Sequence, residues 1–166
     1  MAFDFNANEV FQMAIEIEEN GRLFYLKARE LVDDPDVKDL FSDLEQREVE
    51  HREKFKALKS ELPESAREST VWDPQGEINQ YLKMAADMHV FRAATPVEEQ
   101  LAQVGNAVDA LKLAIQFEKD SILFFLLMQD ETEEGKGKEL ISQLTNEEKA
   151  HLRMLSKELG RIMRKK

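Results

Sequence analysis

The sequence predicts an all-α protein: a four-helix bundle with a long structured crossover between the second and third long helices. Three observations support this prediction. The chain has 166 residues, the size of one ordinary domain. Hydrophobic residues make up 42% and charged residues 34%, with only six Gly and four Pro, which favours long amphipathic helices. Four segments also carry apolar residues at helical spacing, so we expect a single domain over residues 1–166.

The first two long helices are predicted to form a hairpin. The first runs from about Ala7 to Val32, with an apolar stripe that includes Phe11. Asp34-Pro35 has the pattern of an N-cap followed by proline at the first helical position. The second helix is therefore expected from about Pro35 to Leu62, and Pro63 closes it.

Residues 63 to about 104 form the predicted crossover, because they are too many for a turn between neighbouring helices. They contain three of the four prolines and the only tryptophan. One helix is expected over Glu77–Phe91, and Thr95-Pro96-Val97-Glu98 has the pattern of a capping box with proline at the first helical position of a short one. Three of its side chains are expected to pack rather than to bind a ligand: Trp72, Tyr81 and His89.

The second hairpin repeats the first. Its helices are expected from about Gly105 to Asp130 and from about Lys138 to Arg164. Two hairpins joined by one long connection is the connectivity of ferritin-like bundles. At an offset of 100 residues, the segment that ends at Glu18 lines up with the segment that ends at Glu118. The chain is therefore interpreted as a duplicated helical hairpin with pseudo-twofold symmetry.

The strongest functional signal lies in this repeat. Glu48-x-x-His51 recurs as Glu148-x-x-His151, and Glu18 recurs as Glu118. Residues three apart on a helix share a face, so each Glu-x-x-His pair can present a carboxylate and an imidazole to one ion. At about 100° per residue, all of them point along the apolar stripe of their helix. Two such pairs and two further glutamates match the di-iron or di-manganese constellation of four-helix bundles.

Burial of four converging carboxylates requires cations, because unpaired buried ions lose their hydration. The nearby Arg22, Arg29 and Arg52 are expected to offset one or two of these charges. A pair of divalent metal ions offsets all four. Oxygen and imidazole ligands suit iron and manganese alike, so two Fe ions, two Mn ions or a mixed Mn/Fe pair remain open. The predicted metal ligands are Glu18, Glu48, His51, Glu118, Glu148 and His151.

Tyr25 lies two turns beyond Glu18 on the same helix face, and Phe125 holds the matching position in the second hairpin. Its hydroxyl group is placed to reach the metal site as a hydrogen-bond donor or a one-electron relay. Ordinary packing in the core is the alternative.

Composition excludes several other kinds of protein. The absence of cysteine removes disulfides, zinc–thiolate sites and iron–sulfur clusters. A net charge of −11 argues against nucleic acid as a partner. We find no signal peptide and no apolar run of about 18 residues, so we expect no membrane partner and a cytoplasmic location. A second apolar stripe on the first and third long helices predicts a homodimer or higher oligomer; it contains Met13, Ile17, Phe24, Leu113, Phe117 and Phe124.

Both hairpins resemble the rubrerythrin family of the ferritin-like superfamily. The resemblance rests on the helix 1 stretch from Ala14 to Tyr25, its partner on helix 3 and the two Glu-x-x-His pairs. It implies a non-haem di-iron centre held by the six predicted ligands, with Glu48 and Glu148 as bridges. Members of this family reduce hydrogen peroxide or oxidise ferrous iron.

The chain departs from the family pattern in two ways. Typical rubrerythrins carry a rubredoxin domain whose iron is held by four cysteines, and this chain has none, so a separate electron-donor protein is expected. They also carry an additional glutamate one turn after the helix 3 ligand, and here that position is Ser121, with Gly21 as its counterpart in the first hairpin.

Three functions follow as hypotheses. The first is a di-iron peroxidase that reduces hydrogen peroxide in oxidative-stress defence. The second is a ferroxidase or iron-storage protein of the ferritin type, with dioxygen as the oxidant. The third is a metal-binding scaffold without turnover. The residue pattern by itself does not decide among them.

Overall fold

The computed structural model describes residues 6–64, 77–90 and 96–165. These residues contain six helices and no strand, which confirms the prediction of an all-α bundle. In chain order the helices are α1 (Ala7–Leu31), α2 (Pro35–Ser60), α3 (Glu77–Asp87), α4 (Val97–Leu101), α5 (Ala107–Asp130) and α6 (Lys136–Arg164).

Helix starts follow local capping chemistry. The Asp34 side chain accepts hydrogen bonds from the backbone N–H groups of Asp36 and Val37 at 3.1 and 3.2 Å, so α2 begins at Pro35 as predicted. Helix α5 begins at Ala107, two residues later than expected, because the Asn106 side chain accepts the N–H of Asp109 at 3.0 Å. An N-terminal side-chain cap fixes the first turn more sharply than periodicity does.

Other boundaries shift by a residue or two. Helix α2 ends at Ser60 rather than Leu62, and the N–H of Glu61 closes the last turn on Ala57 O. Helix α6 begins at Lys136, two residues before the expected start. Gly135, at φ 148°, precedes it in a conformation that L side chains rarely adopt.

The described part of the crossover contains the two short helices. Helix α3 ends at Asp87 and a turn follows, so the predicted extension towards Phe91 is too long over the described residues. Pro96 occupies the N-cap of α4 rather than its first helical position, which corrects that assignment. Trp72, Phe91 and Thr95 lie outside the described residues.

Two hairpins build the core, with α1 packed along α2 and α5 along α6. Aromatic rings join the hairpins across the centre: Phe55 meets Phe125 at 5.0 Å between centroids, and Tyr25 meets Phe117 at 6.0 Å. Helices α3 and α4 of the crossover pack on the outside, α3 against α5 and α1, and α4 against α1. The two hairpins and the crossover helices therefore enclose a shared interior, most of whose side chains are apolar.

The second apolar stripe, which predicted an oligomer, is largely covered within the chain. Five of its residues are buried, namely Met13, Ile17, Phe24, Phe117 and Phe124, and Leu113 is partly buried. The oligomer therefore stays a prediction, and its interface would have to involve a different surface from this stripe. None of the described helices is long and apolar enough to cross a membrane.

Candidate metal centre

The six predicted ligands meet in the middle of the bundle. Five have no exposed surface, and His151 is 3% exposed. They form two overlapping groups, within each of which one ligand atom per residue lies within 4.8 Å of the others. Site A consists of Glu18, Glu48, His51 and Glu148. Site B consists of Glu48, Glu118, Glu148 and His151.

Each of the four long helices carries its candidate ligands on its buried stripe. In α1, Glu18 lies between the buried Ala14 and Tyr25, and in α2 the Glu48–His51 pair lies between Leu44 and Phe55. The second hairpin repeats this arrangement. Glu48 and Glu148 belong to both sites, so their carboxylates occupy the positions that bridging ligands require.

The histidines face the centre through the same ring nitrogen. His51 Nδ1 lies 2.7 Å from Glu148 Oε1 and 3.4 Å from Glu18 Oε2. His151 Nδ1 lies 2.9 Å from Glu148 Oε2 and 3.6 Å from Glu118 Oε1. The two rings stack with centroids 5.4 Å apart and planes 9° from parallel. Both imidazoles are thus aimed at the same small volume.

Several buried polar atoms at the centre have no hydrogen-bond partner among the described residues. They are both carboxylate oxygens of Glu18, both of Glu48, Glu118 Oε2, Glu148 Oε2 and His151 Nδ1. A buried acceptor without a partner costs about 1–3 kcal/mol, and more when it is charged. Nearly all these atoms are hard oxygen donors, the remaining one is an imidazole nitrogen, and they converge. This donor set fits a pair of divalent metal ions.

In the metal-free protein the four buried glutamates have different pKa values. Burial and the Glu148 carboxylate raise the pKa of Glu118 to about 8. Burial and neighbouring carboxylates also raise the pKa of Glu18 and of Glu48. Burial raises the pKa of Glu148 too, but His51 and His151 outweigh it and hold that pKa far below its usual range. Glu148 is therefore the shared anion.

The histidines take the complementary role. Burial lowers the pKa of His51, but the Glu148 and Glu18 carboxylates more than offset this and raise it to about 11. The nearby Glu118 and Glu148 carboxylates likewise outweigh burial and raise the pKa of His151 to about 10. Metal ions at this centre must displace protons from these groups.

The metal-free protein is expected to lose stability as the pH rises from about 6.5 to about 8. In this range unfolded histidines lose their protons and unfolded glutamates have already lost theirs, whereas folded His51 and His151 keep their protons and folded Glu118 begins to release its proton only near pH 8. The folded chain then binds more protons, so its free energy of unfolding falls with pH. Metal affinity, by contrast, should rise over the same range. Thermal unfolding at pH 6.5 and pH 8, with and without metal, tests both expectations. An equal change of the unfolding temperature with pH in the presence and in the absence of metal would contradict this account.

The Tyr25 hydroxyl group contacts one of the candidate ligands. It donates a hydrogen bond of 2.5 Å to Glu118 Oε1 inside the core. Burial and the carboxylates of Glu118 and Glu48 raise its pKa, so the phenol keeps its proton. The contact joins α1 to a ligand on α5, and its role in electron transfer remains a prediction.

Replacement of Tyr25 by phenylalanine is expected to destabilise the metal-free protein by about 1–3 kcal/mol, because Glu118 loses its buried donor while the ring still fills its space. Denaturant unfolding measures the change. Tyr81→Phe, at a tyrosine that is 47% exposed, is the matched control and should be neutral. Equal stability of the Tyr25 variant and the native chain would leave only packing as the role of Tyr25.

Ser121 and Gly21, the two positions where the sequence lacks an additional glutamate, have different surroundings. Ser121 is buried, and its Oγ lies 2.9 Å from Nε2 of His89, which reaches in from the crossover. At Gly21, an added Cβ would lie only 2.3 Å from Phe117 Cζ and 2.9 Å from Glu48 Oε2. A side chain at Gly21 would therefore have to displace Phe117 and Glu48, whereas the Ser121 hydroxyl group already contacts His89.

The three arginines expected near the site do not reach it. Arg22 pairs with Glu19 at 2.7 Å, Arg52 pairs with the same Glu19, and Arg29 pairs with Glu45 at 2.9 Å. Their expected role as counter-ions of the buried glutamates is wrong, because their guanidinium groups stay near solvent with outer carboxylates. Among the described residues, the two histidines are therefore the cationic groups next to the buried glutamates.

Sequence reasoning missed two residues beside the centre. His89 was expected only to pack; it packs on Phe117 at 5.3 Å and also meets Ser121. Glu147, whose Oε2 lies 2.7 Å from Nε2 of His51, received no role. Glu147 directly precedes Glu148, so its side chain points about 100° away from that of Glu148, towards α2. This angle could have indicated from the sequence that Glu147 lies beside the centre.

Comparison with known proteins agrees with this geometry. A family model described as rubrerythrin matches residues 9–159, which is most of the chain. No curated protein and no solved structure gives a match.

Proposed function

The chain belongs to the rubrerythrin family, and on this premise we propose that it is a non-haem di-iron oxidoreductase that reduces hydrogen peroxide. The observation that carries the proposal is the buried set of six ligand residues whose oxygen atoms converge without hydrogen-bond partners. Membership in the family supports oxidoreductase activity in general, and the peroxide-reducing reaction is the more specific hypothesis.

The chain's own residues would divide the work as follows. Glu18 and His51 would hold one ion, Glu118 and His151 would hold the other, and Glu48 and Glu148 would be available to both. Two ferrous ions, when bound, supply the two electrons that reduce one peroxide, with two protons, to two water molecules. Tyr25 fixes Glu118 by its hydrogen bond, and the aromatic core around the ligands keeps bulk water out.

The electrons for further turnovers would come from a separate donor protein. The sequence has no cysteine, so it cannot hold the four-cysteine iron site that serves this purpose in typical rubrerythrins. A mixture of the iron-loaded chain, peroxide and a reduced rubredoxin-type donor should show continuous oxidation of the donor. Loss of this signal in the Glu48→Gln variant, but not in Glu50→Gln on the exposed face of the same helix, would tie it to the metal centre.

The oxidant is tested directly by stopped-flow absorption. The protein is loaded anaerobically with ferrous iron and mixed with hydrogen peroxide or with dioxygen. Faster oxidation by peroxide is the expected result. Faster oxidation by dioxygen would favour the second candidate, and no reaction with either would contradict both enzymatic functions and leave the metal-binding scaffold.

The second candidate is a ferroxidase or iron-storage function, and one observation favours it. Neither Gly21 nor Ser121 offers the additional carboxylate that typical rubrerythrins carry, and a side chain at Gly21 would have to displace Phe117. Storage predicts that many ferrous ions per chain are oxidised and retained as ferric mineral. Iron that stops at two ions per chain would count against storage.

We also propose that the chain forms a homodimer or a higher oligomer through the outer surface of α3 and α5. Four large apolar side chains are exposed there around one groove: Tyr81, Met84, Met88 and Leu123. Contiguous exposed apolar surface of this kind is typical of interfaces. Light scattering of native chain and of Leu123→Glu tests the proposal; a monodisperse native monomer would contradict it.

A further inference from the structure

We propose that Glu147 is a positioning residue that holds His51 in its ligating orientation, so that site A binds the first metal ion and site B the second. The inference rests on the metal centre of the proposed function and adds to it an order of loading. It concerns binding rather than the reaction, so it can be tested apart from peroxide reduction.

The two ring nitrogens of His51 face opposite ways. Nδ1 points into the centre, 2.7 Å from Glu148 Oε1, and Nε2 points out, 2.7 Å from Glu147 Oε2. A metal ion can bind only the nitrogen that carries no proton, so His51 must keep its proton on Nε2. A carboxylate that accepts this N–H selects that tautomer and fixes the plane of the ring.

Glu147 is itself held in place. Its second oxygen, Oε1, accepts a hydrogen bond from Lys54 Nζ at 3.2 Å. Lys54 and His51 are one turn apart on α2, whereas Glu147 is on α6, so the three side chains join the two helices beside the ligands. The Glu147 side chain is 37% exposed, which places this support at the edge of the site rather than within it.

The duplication does not repeat this support. At the same offset, Arg47 stands where Glu147 stands, and Met154 stands where Lys54 stands. Arg47 is engaged with Asp43 and Glu50 at 3.8 and 3.9 Å. A guanidinium group has only donors, so Arg47 cannot accept the N–H of His151. Within the described residues, His151 Nε2 has no hydrogen bond comparable to that of His51.

The two sites are therefore built from matching ligands with unequal support. A carboxylate behind a ligating imidazole raises its basicity and prevents it from rotating, and loss of such a partner costs about 10–100-fold in metal affinity. Sites A and B share Glu48 and Glu148, so the difference comes from their own ligands. We expect two binding steps, of which the tighter one belongs to site A.

Anaerobic titration of the full chain with Co²⁺, monitored by calorimetry and by visible absorption, tests the proposal. Native protein should bind two ions in two resolvable steps. Glu147→Ala should weaken the tighter step by about 10-fold or more, and Glu147→Gln, which keeps a neutral acceptor, should weaken it less. The weaker step should not change. Glu139→Gln, which removes an exposed charge from the same helix, is the matched control and should titrate like native protein.

A second readout reports on the ring itself. Proton NMR of native protein with one equivalent of Co²⁺ should show one exchangeable imidazole N–H signal shifted by the metal, protected from solvent by Glu147. In Glu147→Ala this signal should broaden or exchange quickly. A merely structural role of Glu147 would lower stability without affecting this signal.

The outcomes separate the two hypotheses. Failure of native protein to bind Co²⁺ would overturn the metal centre and the proposed function together with the loading order. Two native steps that stay unchanged in Glu147→Ala, or that weaken equally, would overturn the role of Glu147 and leave the proposed function standing. Normal loading without peroxide reduction would overturn only the proposed reaction.

Discussion

Replacement of Glu48 by alanine is expected to lower the metal content from two ions per chain to one or none. Glu48 is fully buried, belongs to both sites, and neither of its oxygens has a hydrogen-bond partner among the described residues. Its removal takes an oxygen ligand from each ion and one of the four negative charges that hold them. Metal analysis after anaerobic reconstitution measures the stoichiometry.

Replacement of Glu48 by glutamine tests its effect on the stability of the metal-free protein. Burial and the surrounding carboxylates raise the pKa of Glu48 well above its usual value, which shows that the fold disfavours its charge. Glu48→Gln keeps the volume and removes the charge, so it should leave the metal-free protein as stable as native or more stable. Glu50→Ala, on the exposed side of α2, is the control for both measurements. Retention of two ions by Glu48→Ala would refute its bridging role.

Replacement of Gly21 by alanine is expected to destabilise the protein by about 1–3 kcal/mol and to disturb the metal centre. The added Cβ would lie 2.3 Å from Phe117 Cζ and 2.9 Å from Glu48 Oε2. Phe117 cannot turn aside easily, because Tyr25 and His89 pack against its ring at 6.0 and 5.3 Å. Denaturant unfolding and metal stoichiometry measure the two effects.

Two further variants separate crowding from helix propensity. Gly160→Ala, also within a helix, meets only the flexible end of Arg164 at 3.2 Å and should be neutral or slightly stabilising. Phe117→Leu should relieve the clash, so the double variant with Gly21→Ala should lose less stability than the two single changes added together. Additive losses would mean that Phe117 is not the obstacle.

These two predictions share a physical origin. The first and third long helices approach closely at the level of the ligands, with Gly21 against Phe117 and Tyr25 against Glu118. This approach brings both hairpins' glutamates within reach of common ions. It also explains why a carboxylate side chain at Gly21 in the first hairpin would collide with Phe117.

Much of the fold was predictable because it is local. Periodicity, the Asp34-Pro35 cap and the duplication placed every end of the four long helices within two residues of its position. Errors arose where a side-chain cap or a turn decided the end, as at Asn106 and Asp87. The burial of the six candidate ligands was predictable for the same reason, since a helix fixes which residues share its buried face.

The sequence by itself determined the class of the fold, the pairing of the helices into two similar hairpins and the set of residues that face the interior. Those properties depend on spacing along a helix, which a single chain records directly. Only the tertiary structure decided that Glu147 supports His51, that Ser121 meets His89 and that Gly21 lies against Phe117. These contacts join residues distant along the chain, and the packing of whole helices sets their distances. The duplication predicted a symmetric centre, and the contacts between helices made its two halves unequal.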